Sequence, residues 1–220
     1  MTFALRRRVF AELWGTFFLV FAGTGAIVTN AASGGAVTHL GVALTFGLVV
    51  LALIYALGEV SGAHLNPAVT LAFGAAKRFP PSEILPYIGA QLLGATLASL
   101  CLRALFPATK TLGETVPSGA ISQSFGLEFL LTLFLMFVIL SVSCGAKEKG
   151  ITAGIVVGSV IGLEAAFAGP ICGASMNPAR SLGPALVNWN VGALWIYLLA
   201  PTLGALCAVP LLRLIRGEDS

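Results

Sequence analysis

The chain has 220 residues, of which 57% are hydrophobic and only 10% charged, with a mean hydropathy of +0.96. Twelve Lys and Arg against nine Asp and Glu give a formal net charge of +3. This composition excludes an ordinary soluble domain, and the basic residues are too dispersed for a nucleic-acid-binding patch; a multi-span membrane protein remains.

Only helices or a closed barrel can span a bilayer, and the apolar runs here are long and continuous rather than alternating, so the spans read as helices. The abundant glycine (26 residues) suits close helix–helix approach in lipid. In chain order, Arg6-Arg7-Arg8 precede a long apolar run that is followed by further spans, so this run reads as a first transmembrane helix rather than a cleavable signal. Six spans are expected at about 9–30, 38–58, 84–105, 124–143, 151–169 and 192–214. The loops are short except 106–123, which is rich in Pro, Thr, Gly and Ser. The four cysteines have no metal-type spacing and read as mostly free core thiols; no metal or cofactor is expected.

Two short helices fall after the second and fifth spans. Each opens on the same tripeptide, Asn66-Pro67-Ala68 in S-G-A-H-L-N-P-A-V-T and Asn177-Pro178-Ala179 in C-G-A-S-M-N-P-A-R-S. Asn is a strong N-cap, and Pro fits the first helical position, where its missing N–H has no partner to lose. The first helix runs out near Gly74–Lys77 and the second near Val187–Trp189. Each is then roughly 15 Å long, half of a bilayer core of about 30 Å. Two of them meeting tip to tip span the membrane once.

With six crossings, Arg6, Arg7, Arg8, Lys77, Arg78, Lys147, Lys149, Arg213 and Arg216 fall on one side, and only Arg103 and Lys110 near the other. The positive-inside tendency makes both termini cytoplasmic, so the first half-helix enters from the cytoplasm and the second from outside. The halves, about 9–105 and 124–214 of one domain covering 1–220, read as repeats. Glu12 opens the first span and Glu128 the fourth. Tyr87, Gln91 and Gly94-Ala95 in the third span match Tyr197, Pro201 and Gly204-Ala205 in the sixth, and Gly62-Ala63 matches Gly173-Ala174. Three spans per half is an odd number, so the second copy is inverted. Inverted repeats with broken helices place a central site at the midplane.

At that site the two helix N-termini make a positive focus that repels cations and hydronium. The Asn66 and Asn177 amides supply N–H donors there, so a passing water accepts from both and turns its own hydrogens away, which interrupts a proton wire. The bland alternative is that each Asn is only a cap.

These motifs, with Glu12, Glu128, Gln91 and the run G-A-S-M-N-P-A-R-S-L-G-P-A, resemble the aquaporins of the major intrinsic protein family over nearly the whole chain. The resemblance implies six transmembrane helices plus two re-entrant half-helices, and a homotetramer with one pore per subunit. It also implies a cell membrane location, plasma or bacterial inner. Arg180, three residues after Asn177, takes the position of the family's filter arginine, and a lone Arg at this depth should face water or a pore. By spacing from the tripeptides, Phe46, Ala165 and Ala174 complete the filter. Water-selective members place a His where Ala165 stands, so strict water selectivity is in doubt. Glycerol facilitators follow the Arg with Asp and use two aromatics; here Ser181 follows and Phe46 is the one aromatic. The stretch around Asn177 is most similar to the nodulin-26-like branch, whose members pass water together with glycerol, urea and metalloid acids such as arsenous acid.

Glu12 and Glu128 resemble the family's buried glutamates that accept backbone N–H groups from the half-helix loops. His64 resembles the family's His of the cytoplasmic half of the pore. Glu164, mid-span beside Ala165 and without a repeat partner, is either a functional acid or a support for the outer loop around Cys172–Ala174; the second reading is favoured. Cys172 is a candidate mercurial target, Glu59 a residue of the cytoplasmic rim, and His39 an outer-loop residue without an assigned role. A strict water channel is the alternative to a broader one. An ion-coupled transporter would need carboxylates at the broken helices, where Asn and Arg stand instead. An intramembrane enzyme lacks a Ser/His/Asp set, an H-E-x-x-H and paired Asp. An adhesion role fits poorly with intact Asn and Arg.

Overall fold

The computed structural model describes residues 3–143 and 147–217. Cys144 and the side chains of Lys147 and Lys149 lie outside the described residues. The helices are α1 (Phe3–Ala32), α2 (Thr38–Ser61), α3 (Pro67–Ala75), α4 (Pro81–Leu105), α5 (Ile121–Val142), α6 (Lys147–Cys172), α7 (Pro178–Val187) and α8 (Leu194–Arg216). Among the described residues, six of these (α1, α2, α4, α5, α6 and α8) are long and apolar enough to cross a membrane. The main shift from the expected boundaries is at α1, which begins at Phe3 and carries Arg6–Arg8 on helix. Long basic side chains reach out of the apolar zone along the helix, so the charges do not end it.

The two short helices start as their first residues require. Asn66 has extended backbone (φ −157°, ψ 122°), and its Oδ1 accepts from Ala68 N–H at 2.9 Å. Asn177 (φ −148°, ψ 108°) accepts from Ala179 N–H at 3.0 Å and Arg180 N–H at 3.2 Å. Pro occupies the first helical position in both.

The long helices pair through glycine. A Cβ added to Gly94 would lie 2.2 Å from the Leu13 carbonyl oxygen, so α4 crosses α1 in near backbone contact. Gly204 stands in the same relation to the Phe129 carbonyl oxygen, again 2.2 Å, where α8 crosses α5. Between these pairs α2 packs on α6, with Gly47 against Gly158, Leu51 and Tyr55 against Gly154, and Ala43 near Gly162, which makes the two helices antiparallel. In lipid, where apolar burial between helices gains little over contact with acyl chains, such close packing supplies the association energy. Leucine and phenylalanine fill the outer faces: Leu44, Leu48, Leu163 and Phe167 are exposed.

Candidate functional site

Each loop leading into a short helix is held open by a buried carboxylate. Glu12 accepts from His64 N–H (2.9 Å), Leu65 N–H (2.7 Å), Ser61 Oγ (2.7 Å) and Gln91 Nε2 (2.8 Å). Glu128 accepts from Ser175 N–H (2.8 Å) and Met176 N–H (2.9 Å). A carboxylate can take several N–H groups at once, which is what an irregular buried backbone needs. The loops match residue for residue. Ala63 (φ 47°) and Leu65 (φ 51°) lie in the left-handed region, as do Ala174 (φ 40°) and Met176 (φ 53°); Ala63 follows Gly62 (φ 87°) and Ala174 follows Gly173 (φ 88°). Tyr87 Oη donates to Ser61 O at 2.9 Å, and Tyr197 Oη to Cys172 O at 2.7 Å. Non-glycine residues hold such a backbone only where the surroundings impose it.

The two helix tips are tied to each other. Asn66 Nδ2 donates to Met176 O at 2.7 Å, and Asn177 Nδ2 donates to Leu65 O at 2.8 Å. One hydrogen of each amide is therefore spent on the opposite loop, and only the second is free to point elsewhere. Spacing along a chain does not reveal such a bond to the other repeat.

Both asparagines line a cavity of about 120 Å³. Along antiparallel α2 and α6 it passes from Phe46 and Ala165 to Ile54 and Ala153. Ala174 and Arg180 line it as well, so the four residues that the family resemblance implies for the filter share one cavity. Arg180 is almost fully buried; its guanidinium sits 5.0 Å from the centre of the Phe46 ring, and Nη1 donates to Gly113 O at 2.6 Å. It thus faces the cavity and is also held by one backbone carbonyl. Room for the Phe46 ring comes from Gly23, where any Cβ would sit 2.1 Å from a ring atom.

His64 lines the same cavity, with its ring stacked on Phe73 at 4.7 Å and edge-on to Phe79 at 4.8 Å. Thr70 Oγ1 donates to Asn66 O and accepts from Gln91 Nε2 at 3.0 Å. With its proton so engaged, it accepts from His64 Nδ1–H at 3.2 Å. That leaves His64 Nε2 as an acceptor.

The inter-repeat loop also braces the site. Its length marked it out, but not what it holds: Gly113 (φ 77°) offers its carbonyl to Arg180, and Thr115 Oγ1 donates to Ser181 Oγ at 2.7 Å. Ser181 in turn lies 2.5 Å from Ser175 Oγ. The bonds from Gly113 and Thr115 bridge 67 and 66 residues of chain and leave no periodic trace.

Two expectations need correction. Glu164 is fully buried, but neither carboxylate oxygen has a hydrogen-bond partner among the described residues, so it does not hold the loop around Cys172–Ala174. Nor does it line the cavity: adjacent helical positions are turned about 100° apart, and Ala165 takes the cavity face. The thiol of Cys172 is fully buried outside the lining and accepts from Ala174 N–H at 3.4 Å, which removes it as an accessible mercurial target. Glu59 is exposed and outside the lining.

Two helix N-termini clasped across one cavity in a bundle of apolar helices define a membrane channel protein. The chain belongs to the major intrinsic protein family, whose model matches residues 1–211. Aquaporin NIP1-2 of Oryza sativa subsp. japonica is 44% identical over 218 residues, covering 96% of this chain and 72% of that protein. Nodulin-26 of Glycine max is 45% identical over 214 residues, covering 97% of this chain and 79% of that protein. Among solved structures, the aquaglyceroporin from Plasmodium falciparum matches with a TM-score of 0.84 at 27% identity, covering 96% of this chain and 99% of that one. The family consists of channels and not enzymes.

Proposed function

We propose that this channel passes water and small uncharged solutes of the glycerol, urea and metalloid-acid class passively, and excludes protons and ions. The observation that carries the reading is the set of four residues on one cavity: a buried guanidinium over one aromatic ring, with two alanines completing the ring of side chains. Arg180 donates to a solute hydroxyl or to water and repels cations; Phe46 gives an apolar wall; Ala165 and Ala174 leave width. At Asn66 and Asn177 the free amide hydrogens and the two helix N-termini orient a single water and break a proton relay. His64 Nε2 accepts from water on its way. Pro67, Ala68, Pro178 and Ala179 start and pack the half-helices, and Glu12 and Glu128 support their loops.

The matching bonds in the two halves support one domain over 1–220 built of inverted repeats, about 9–105 and 124–214. The basic flanks support cytoplasmic termini in a plasma or bacterial inner membrane. The assembly we infer is a homotetramer with one pore per subunit.

The test is stopped-flow light scattering on proteoliposomes, comparing osmotic water flux with glycerol and arsenous acid uptake. Solute entry at or above the water signal is expected. Ala165→His, which adds bulk and a donor to the wide wall, should cut glycerol uptake at least several-fold while water flux persists. Fast water flux without solute entry would make the chain a strict water channel and refute the wide filter.

A further inference from the structure

We propose that His39 is a positioning residue for the filter wall, acting by supplying a hydrogen bond that Pro170 removes from α6. The inference rests on Ala165 being a filter residue. In an α-helix the carbonyl of residue 166 is bonded by the N–H of residue 170. Here residue 170 is a proline inside α6, so it has no N–H, and its ring also pushes on the carbonyl one turn back. The orphaned Ala166 oxygen meets His39 Nε2 from α2 at 2.8 Å. Pro170 has no backbone donor and a carbonyl can only accept, so the imidazole carries its hydrogen on Nε2 in this contact.

The approach is built from both sides. The His39 ring lies against Gly169, where a Cβ would sit 2.9 Å from Cε1. On α2, Thr38 has a left-handed φ of 63°, unusual for a β-branched residue. Its N–H donates to Asn30 Oδ1 at 2.8 Å, and its Oγ1 accepts from Gly41 N–H at 3.2 Å. This turn aims His39 at α6 one residue past Ala165. The tether therefore fixes the segment of α6 that carries Ala165 into the cavity lining, without touching solute.

A double-mutant cycle tests it. Pro170→Ala restores the N–H that α6 lacks, so Ala166 no longer needs His39. In proteoliposomes, His39→Ala should shift the ratio of glycerol to water permeability by roughly two- to tenfold, the range one hydrogen bond supports. In the Pro170→Ala background the same substitution should leave the ratio unchanged. An equal shift in both backgrounds, or no shift in either while Ala165→His moves the ratio in the same assay, overturns the tether and leaves the filter standing. If Ala165→His also moves nothing, the filter reading falls and takes the tether with it. Size-exclusion profiles of each variant establish that the comparison is made on folded protein.

Discussion

Arg180 is only 3% exposed, yet among the described residues its guanidinium forms no salt bridge; it is shared between a carbonyl, an aromatic face and the cavity. A cation so placed sets a barrier to other cations, and the barrier disappears with the side chain. Arg180→Val should raise proton leak in vesicles with an imposed pH gradient, read by a pH-sensitive dye; an unchanged leak would mean the barrier resides wholly at the helix tips. The two supporting glutamates are not equivalent at this scale. Glu12 has a Gln91 donor, whereas the matching position in the second half is Pro201, which has none, and Cys172 stands where Ser61 does. Glu164 is the same asymmetry taken further: its counterpart, by the offset that relates Asn66 to Asn177, is the buried core residue Leu53.

Elements associate here by how nearly their backbones can touch. Gly94 and Gly204 mark the two crossings where even a methyl group has no space, since 2.2 Å to a carbonyl oxygen is far inside contact distance. Gly94→Ala and Gly204→Ala should each destabilise the detergent-solubilised protein, by about 1–3 kcal/mol if the helices move apart to make room. Gly89→Ala, on the same helix as Gly94 but with open space around it, should leave the melting temperature unchanged or slightly raised. Equal effects at positions 89 and 94 would mean that the α1–α4 crossing does not depend on close approach. The half-helices follow another rule. At nine and ten residues they are too short to be stable alone, so their caps and the carboxylates behind their loops decide that they form.

For the whole molecule, the tips of α3 and α7 are joined by reciprocal side-chain bonds, so neither half can complete the cavity by itself. The cavity runs inside one chain, which supports one pore per subunit however many subunits assemble. Light scattering on protein in mild detergent, corrected for bound detergent, should give four times the 22.6 kDa chain mass. A monomer mass with full permeability in liposomes would remove the tetramer from the account of transport.

Hydropathy and capping chemistry were enough to place six spans and two half-helices within a few residues, because both are local properties of a chain in lipid. The resemblance to the family, carried onto this chain by counting from Asn66 and Asn177, also pointed to Phe46, Ala165, Ala174 and Arg180, and all four line the one cavity. What the sequence could not determine were bonds between segments far apart in the chain. The amide-to-loop clasp, the Gly113 carbonyl on Arg180 and the His39 bond to Ala166 each join segments from different elements. The burial of Glu164 with no hydrogen-bond partner among the described residues likewise depends on what the neighbouring helices offer. Those were decided by packing, in which a missing N–H at one proline is answered by a side chain more than a hundred residues away.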